Sequence, residues 1–265
     1  MRIDVKEYVK EQKDYLKTTC PKKLLIIQVG NNAASNKYVQ GKIKDCEEVG
    51  YRATLVKYPE QISALTIYTY LKTFGASYDG IILQLPADIY ETPSCSMQDI
   101  IDCIDPRQDV DGFKVNSKYK PCTPLGIINF LHCYYGKLEG SVITVVGKGK
   151  LVGAPLVPML MKEGATVISC NSKTADLASM TQLADIVVTC TGHPRLITKN
   201  MLCEGAIVID AGIAFDENNK MCGDCDPALY DDKDVFVTTV PGGVGLLTRV
   251  ALLQNLNDTD WSSNI

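Results

Sequence analysis

The 265-residue sequence has little of several things that mark particular kinds of protein. No apolar run is long enough to cross a bilayer as a helix, and the start, Met1-Arg2-Ile3-Asp4-Val5-Lys6, lacks the apolar core of a signal peptide. A cytoplasmic protein is therefore expected. There is no basic excess: 27 Lys and Arg stand against 31 Asp and Glu, for a formal charge of -4 and a pI near 5.3. That balance argues against nucleic acid or an anionic membrane as the main partner. Histidine is scarce, with only His132 and His193 available as imidazole ligands. The one close cysteine pair, Cys222-Gly223-Asp224-Cys225, has no second pair to complete a zinc site and no thioredoxin-like strand-to-helix context. It reads as a loop with two incidental thiols, and no metal is expected. The 11 cysteines are odd in number and sit mostly in apolar contexts, such as Cys170 and Cys190, as buried thiols of a reducing compartment do. Internal repeats, low-complexity stretches and flexible linkers are missing as well.

What is present is an apolar content of 46 %, enough for one large core or two moderate ones. The first half alternates helix and strand. Helical spacing over Val5 to Lys17 precedes the buried-strand run Lys23 to Val29, a helix over Ser35 to Val49 ends at Gly50, and Ala53 to Tyr58 reads as a strand. A helix over Ile62 to Phe74 then leads to a strand, Asp79 to Leu85, that runs into Pro86. After a helix from Leu125 to Tyr135 the alternation restarts, and Val142–Val146, Ala165–Cys170, Asp185–Cys190, Ala206–Asp210 and Val235–Thr239 predict a five-stranded parallel sheet. The apolar helix Gly245 to Leu256 is expected to pack back on the first lobe. The predicted fold class is α/β in two lobes that share a cleft, with residues 1–122 plus 246–265 in one and 123–245 in the other.

The richest local pattern is Gly147-Lys148-Gly149-Lys150-Leu151-Val152-Gly153-Ala154-Pro155, between the strand Val142–Val146 and a helical stretch. Strand, glycine turn, helix outlines a phosphate site, because glycines admit close approach and the helix start offers amides and a positive dipole end. The spacing G-x-G-x-x-x-G is one residue longer than the usual dinucleotide fingerprint, and a plain strand-to-helix turn remains the alternative.

A second set of residues lies before it. Tyr38 and Lys42 are four apart on one helix face, where a hydroxyl beside an ammonium can serve proton transfer in a partly dry pocket. An isolated Y-x-x-x-K is more often a surface lysine beside a half-buried tyrosine. The motif precedes the glycine turn, which excludes the short-chain dehydrogenases. Gln84 ends a strand, where parallel sheets present ligand-contacting side chains. Asp109-Val110-Asp111-Gly112-Phe113 offers carboxylates able to accept paired hydrogen bonds from a guanidine-like edge, such as a pterin presents. Alone, Asp111 reads as a turn or capping residue.

In this order the pieces resemble the bifunctional methylenetetrahydrofolate dehydrogenase/methenyltetrahydrofolate cyclohydrolase family, from about Leu24 to Leu253. They are Ser35-Asn36-x-Tyr38-Val39-x-x-Lys42, Asp79-Gly80-Ile81-x-x-Gln84-Leu85-Pro86, Asp109-Val110-Asp111-Gly112-Phe113, Pro121-Cys122-Thr123-Pro124, Val152-Gly153-x-Pro155, Ser172-Lys173-Thr174, Ala184-Asp185-Ile186-Val187, Gly223-Asp224 and Pro241-Gly242-Gly243-Val244-Gly245. The resemblance implies a folate-site lobe followed by a Rossmann-like NAD(P) lobe. It implies that Lys42 is the general acid/base, that Tyr38 stacks near the folate, that Gln84 supports Lys42 and that Asp111 holds the pterin. Ser35, Leu85, Pro86, Pro241 and Gly242 would line the substrate. Gly147, Lys148, Gly149, Val152, Gly153, Ser172, Lys173, Gly192, Ile213, Gly243 and Thr248 would hold the dinucleotide. Relatives usually carry Gly-Arg-Ser where Gly147-Lys148-Gly149 stands, a histidine at Asn171 and Gly-Pro-Met-Thr at residues 245–248. Lys148 keeps a cation without the arginine fork, and Lys173 offers another. The expected cofactor is NADP, with NAD open, and the expected assembly a homodimer. Alternatives are a monofunctional or NAD-dependent methylenetetrahydrofolate dehydrogenase, a two-lobed dehydrogenase of the shikimate or amino-acid type, and a non-catalytic nucleotide-binding protein.

Overall fold

A computed structural model of the chain describes residues 1–218 and 220–258. In chain order it forms β1 (Arg2–Ile3), α1 (Lys6–Leu16), β2 (Lys23–Val29), α2 (Ala33–Glu48), β3 (Arg52–Tyr58), β4 (Ile62–Ser63), α3 (Ala64–Phe74), β5 (Gly80–Gln84), β6 (Ile89–Tyr90), α4 (Met97–Cys103) and α5 (Cys122–Tyr134). There follow β7 (Val142–Val146), α6 (Gly153–Lys162), β8 (Thr166–Cys170), α7 (Leu177–Gln182), β9 (Ile186–Thr189), β10 (Ile207–Asp210), β11 (Ala214–Phe215), β12 (Met221–Cys222), β13 (Phe236–Thr238) and α8 (Val244–Asn257). Two compact units result: a first of Glu11–Cys122 with residues 249–258, and a second of Met1–Lys10 with Thr123–Thr248.

In the first unit β2 lies between β3 and β5 in a parallel sheet. Every residue of β2 after Lys23 is buried, which is why the run Leu-Leu-Ile-Ile shows no alternation: both faces of the strand are covered. The register sets Gln28 beside Gln84 at the carboxyl ends of β2 and β5. Leu25, Ile27, Ile67, Leu71, Ile81 and Ile100 gather in the core between this sheet and α3 and α4. Each such side chain contributes about 1.5–3 kcal/mol by leaving water. α2 starts where the Asn32 side chain accepts the Ser35 amide at 3.0 Å, and α4 where Ser96 and Asp99 form a reciprocal capping box. The buried Asp45 of α2 takes Lys13 Nζ at 2.5 Å and Arg249 Nε at 2.8 Å, so cations from α1 and α8 compensate one carboxylate.

Lys13 also reaches Glu48 at 2.6 Å, and this hydrogen bond holds the Glu48 carboxyl below its ordinary value. A carboxyl depressed in the folded state contributes stability that is present above the unfolded value, near 4.3, and is lost as pH falls through the folded one. With 40 % of the Glu48 side chain exposed, solvent screening limits the gain to about 0.5 kcal/mol. Glu48→Gln is expected to lower stability by that amount at neutral pH and to match the unsubstituted chain once pH has fallen below the folded value, read from denaturant unfolding across pH. An equal difference at both pH values would contradict it.

The second unit is built on a six-stranded sheet in the order β1-β13-β10-β9-β7-β8, with every neighbouring pair parallel. β7 has β8 on one side and β9 on the other. Successive crossovers therefore leave in opposite directions from β7, the switch point at which open α/β sheets form a crevice at their carboxyl ends. Val146, Val187, Val208, Val237, Ile197 and Leu229 lie in its core.

Several local expectations are corrected. The sheet has six strands because Arg2 and Ile3 pair with Val237 and Thr238, and Met1–Lys10 groups with the second unit rather than with residues 11–122. Two residues are too few to show a strand period. Ile62 and Ser63 pair with β6 before α3 begins at Ala64, and α5 begins at Cys122 instead of Leu125. The short α4 and α7 hold too few turns to display a helical stripe. Residues 259–265, attached to the first lobe from sequence, lie outside the described residues.

Candidate active site

Four residues singled out from sequence come together in the first unit. Tyr38 and Lys42 lie one turn apart on α2, and Lys42 Nζ stands 5.8 Å from the centre of the Tyr38 ring. Gln84 closes β5, and its Oε1 accepts a hydrogen bond from Lys42 Nζ at 3.1 Å. The Gln84 amide nitrogen donates to the carbonyl of Leu85 at 2.7 Å, which fixes the oxygen toward the lysine. Asp111 Oδ2 lies 3.7 Å from the same Nζ. The lysine side chain is 5 % exposed and that of Asp111 12 %, so the pair is largely removed from solvent screening.

The two carboxylates of Asp109-Val110-Asp111 have different roles. Asp109, buried, accepts the amides of Phe113 and Lys114 at 3.3 and 2.8 Å and ties the loop to itself. Asp111 turns to Lys42. Beside it opens a small apolar pocket lined by Leu83, Leu85, Ile104 and Phe113. Leu85 is half-buried, Pro86 is exposed, and Ser35 is buried in the first turn of α2, where its amide serves the helix cap. The Cys122 thiol, fully enclosed, is pushed well above its ordinary value by burial and by the Asp111 carboxylate, and so is held as a neutral group.

The glycine turn of the second unit sits at the switch point. Gly147 follows β7 with φ +115°, and a Cβ there would stand 2.8 Å from the carbonyl oxygen of Cys190, just past β9. A Cβ on Gly153 would lie 1.9 Å from the Gly147 oxygen, so the turn closes only with glycine at both ends. At Gly149 a Cβ would meet nothing within 4 Å. The start of α6 differs from the expectation of a row of free amides: Ala154 N–H turns back to the Gly149 carbonyl at 3.0 Å, and Pro155 has no N–H. Lys148, Gly149 and Lys150 are exposed, which puts the approachable backbone in the loop ahead of the helix.

The remaining candidates of this unit group around the same strand ends. Ser172 and Lys173 are exposed in the turn that follows β8, closed by the Lys173 amide on Asn171 Oδ1 at 2.9 Å. A Cβ on Gly192, after β9, would stand 3.4 Å from the carbonyl oxygen of Ile213, after β10. Pro241 and Gly242 are exposed, while Gly243 packs against the backbone of Thr239. Thr248 is spent internally, its hydroxyl donating to the Val244 carbonyl and bonded to the Thr123 hydroxyl, both at 3.0 Å.

Sequence reasoning left Asp210 out of the site and quoted Asp224 only within short motifs such as Gly223-Asp224, yet the two carboxylates together shape these loops. Asp210 accepts the amides of Gly212, Asp224 and Cys225 at 3.0, 3.1 and 2.9 Å, and Asp224 accepts the Thr189 hydroxyl at 2.6 Å and the Thr191 amide at 2.7 Å. Burial pushes the Asp210 carboxyl up. The signal for Asp210 was a carboxylate ending an apolar strand ahead of Ala-Gly. Cys225 of the close cysteine pair is buried beside these carboxylates, which raise its thiol further.

Both parts of the chain are similar to known proteins. Residues 1–111 match the catalytic domain of tetrahydrofolate dehydrogenase/cyclohydrolase, and residues 121–262 its NAD(P)-binding domain. The bifunctional protein FolD of Mycoplasma capricolum is 39 % identical over 264 residues, covering 94 % of this chain and 92 % of its own. That of Polynucleobacter asymbioticus is 37 % identical over 243 residues, covering 88 % and 84 %. Among solved structures, the FolD methylenetetrahydrofolate dehydrogenase/cyclohydrolase of Campylobacter jejuni superposes with a TM-score of 0.89 at 34 % identity over 97 % of both chains. The Trypanosoma brucei enzyme, complexed with NADP cofactor and inhibitor, superposes with a TM-score of 0.86 at 26 % identity, covering 97 % of this chain and 95 % of its own. On the matches to both of its parts, the chain belongs to the tetrahydrofolate dehydrogenase/cyclohydrolase family.

Proposed function

We propose that this protein oxidises 5,10-methylenetetrahydrofolate to 5,10-methenyltetrahydrofolate with NADP and then hydrolyses the product to 10-formyltetrahydrofolate. The observation that carries the reading is the enclosed Lys42 Nζ between Gln84 Oε1 at 3.1 Å and Asp111 Oδ2 at 3.7 Å. NADP supplies the hydride acceptor. Loss of hydride leaves a cation spread over two folate nitrogens, so the first unit has to orient the substrate without a rigid positive charge against the reacting carbon. The Asp111 carboxylate suits the guanidine-like edge of the pterin, with two oxygens for two parallel N–H donors. Tyr38 offers a ring face for the folate beside Lys42. In the second step water adds to the methenyl carbon and gives up one proton to Lys42 Nζ, which takes it as the free amine; the hydroxyl proton of the adduct is then transferred to the leaving ring nitrogen as its bond to that carbon breaks, and the carbon remains as a formyl group on the other nitrogen. Gln84 holds Nζ in place through both steps.

Gly147, Lys148, Gly149, Val152 and Gly153 hold the dinucleotide phosphates in this reading, with Ser172 and Lys173 at its adenosine end and Gly192 and Ile213 further along. The closed glycine turn at the switch point, with its exposed loop, fits such a group. Lys148 and Lys173 are the cations available to a 2'-phosphate, which favours NADP over NAD. The protein acts as a homodimer through its second unit, where β8 is the terminal strand of the sheet. It works in the cytoplasm, and among the described residues no helix is long and apolar enough to cross a membrane.

A spectrophotometric assay with methylenetetrahydrofolate tests the reading. Reduction of NADP is expected, faster than that of NAD, together with consumption of added methenyltetrahydrofolate. Reduction of neither nucleotide would overturn it.

A further inference from the structure

We infer that Asn255, on α8, is a positioning residue for Asp111: its amide group clamps the backbone that carries Asp111 and so sets where that carboxylate stands relative to Lys42 and a bound pterin. The inference rests on the proposed folate chemistry of Lys42, Gln84 and Asp111.

Asn255 is 5 % exposed and follows the largely apolar run Val250 to Gln254. A buried carboxamide is tolerated only when its hydrogen-bonding groups are used, and Nδ2 carries two hydrogens. Both are used. One meets the carbonyl of Val110 at 2.9 Å and the other the carbonyl of Lys120 at 3.0 Å. The Val110 oxygen also accepts from Cys122 Sγ at 3.1 Å, so both its lone pairs are engaged and the peptide leading into Asp111 is fixed.

The peptide leaving Asp111 is fixed too. Gly112 has φ +71° and donates to the Asp109 carbonyl at 3.0 Å, and a Cβ there would stand 2.6 Å from the carbonyl carbon of Lys120. The segments 109–112 and 120–122 thus lie backbone against backbone, and Asn255 is the side chain that bonds to both. Asp111 projects from this frame toward Lys42 at 3.7 Å, near the outer limit of an ion pair, where a shift of a few tenths of an ångström makes or loses the contact. The neighbouring Gln254 separates positioning from general support of α8. It is 1 % exposed on the same helix, and its Nε2 bonds to Gln12 Oε1 at 3.0 Å, on α1.

The test uses the full chain with Asn255→Asp, which turns an oxygen toward two carbonyls, Asn255→Ser, which shortens the reach, and Gln254→Ala. Thermal melting, calorimetric titration with tetrahydrofolate and with NADP, and kcat and KM are measured for each. Asn255→Asp is expected to weaken tetrahydrofolate binding and raise the KM for methylenetetrahydrofolate by about tenfold or more, with NADP affinity within about twofold, and Asn255→Ser to fall between. Gln254→Ala is expected to lower Tm while tetrahydrofolate affinity stays within about twofold. Should Asn255→Asp not fold, Asn255→Ser decides. Tetrahydrofolate affinity in a folded Asn255 variant equal to that of the unsubstituted chain, or an equal weakening in Gln254→Ala, would overturn the inference. If the unsubstituted chain itself fails to bind tetrahydrofolate, the proposed function fails instead.

Discussion

Lys42→Met is expected to lower cyclohydrolase turnover by about 10²–10⁴, the usual worth of a positioned proton-transfer group. The dehydrogenase step is expected to fall by a smaller factor, because hydride transfer moves no proton at Nζ and depends on orientation. Stability decides whether such a loss is chemical. Removing one partner of a buried ion pair can cost 3–5 kcal/mol when the other charge is left stranded. Here the separation is 3.7 Å and Asp111 keeps 12 % of its side chain in solvent, while the 5 % exposed lysine loses its own desolvation penalty on replacement by an apolar chain of similar length. These effects oppose each other, and a net change of about 1 kcal/mol or less is expected. The check is the loss of methenyltetrahydrofolate absorbance beside a thermal melt. Wild-type hydrolysis in a folded Lys42→Met protein would remove Lys42 from the mechanism.

Gly153→Ala is expected to have the largest effect on the dinucleotide. The added Cβ would stand 1.9 Å from the Gly147 oxygen and 3.1 Å from Cys190 Sγ, and the first of these is backbone, which cannot swing aside. The turn has to open, at a cost of about 3 kcal/mol, the upper part of the range for overpacking. Opening moves the loop that, in the proposed function, offers its amides and Lys148 to the phosphates. NADP affinity is expected to drop about 100-fold, equivalent to about 2.7 kcal/mol, with tetrahydrofolate affinity little changed. Gly149→Ala is the control in the same loop: its Cβ would meet nothing within 4 Å, and stability within about 0.5 kcal/mol of the unsubstituted chain is expected. Calorimetric titration with NADP and thermal melts of both variants provide the check. NADP binding unchanged in Gly153→Ala would show that this turn does not hold the cofactor.

Both effects differ in how far the sequence foretold them. Tyr38 and Lys42 were legible because a helix brings residues four apart onto one face, and the glycine turn because strand, glycines and helix follow one another directly. The meeting of Lys42 with Gln84 was legible only through the family resemblance and not from periodicity or spacing, since 42 residues and a parallel crossover separate them. The capping box of α4 was written in Ser96-Met97-Gln98-Asp99, yet a seven-residue helix shows too few turns for its apolar face to stand out. Asn255 was hidden for another reason. Within an apolar helix a lone amide is a signal only once the carbonyls it reaches are known, and those of Val110 and Lys120 are more than 130 residues away.

By itself, the sequence determined the alternation of strands and helices, the parallel character of both sheets, and which residue types were available for proton transfer, pterin recognition and phosphate binding. Each of these is set by neighbours along the chain, through the periods of strand and helix and the freedom of glycine. Only the tertiary structure decided that Asp111 and not Asp109 faces Lys42, that Arg2 and Ile3 complete the second sheet, and that Asp210 and Asp224 organise the loops beyond β9 and β10. Those choices depend on which distant backbone amides and carbonyls must be satisfied once the chain is packed, and a buried polar group finds its partner in space, not in sequence.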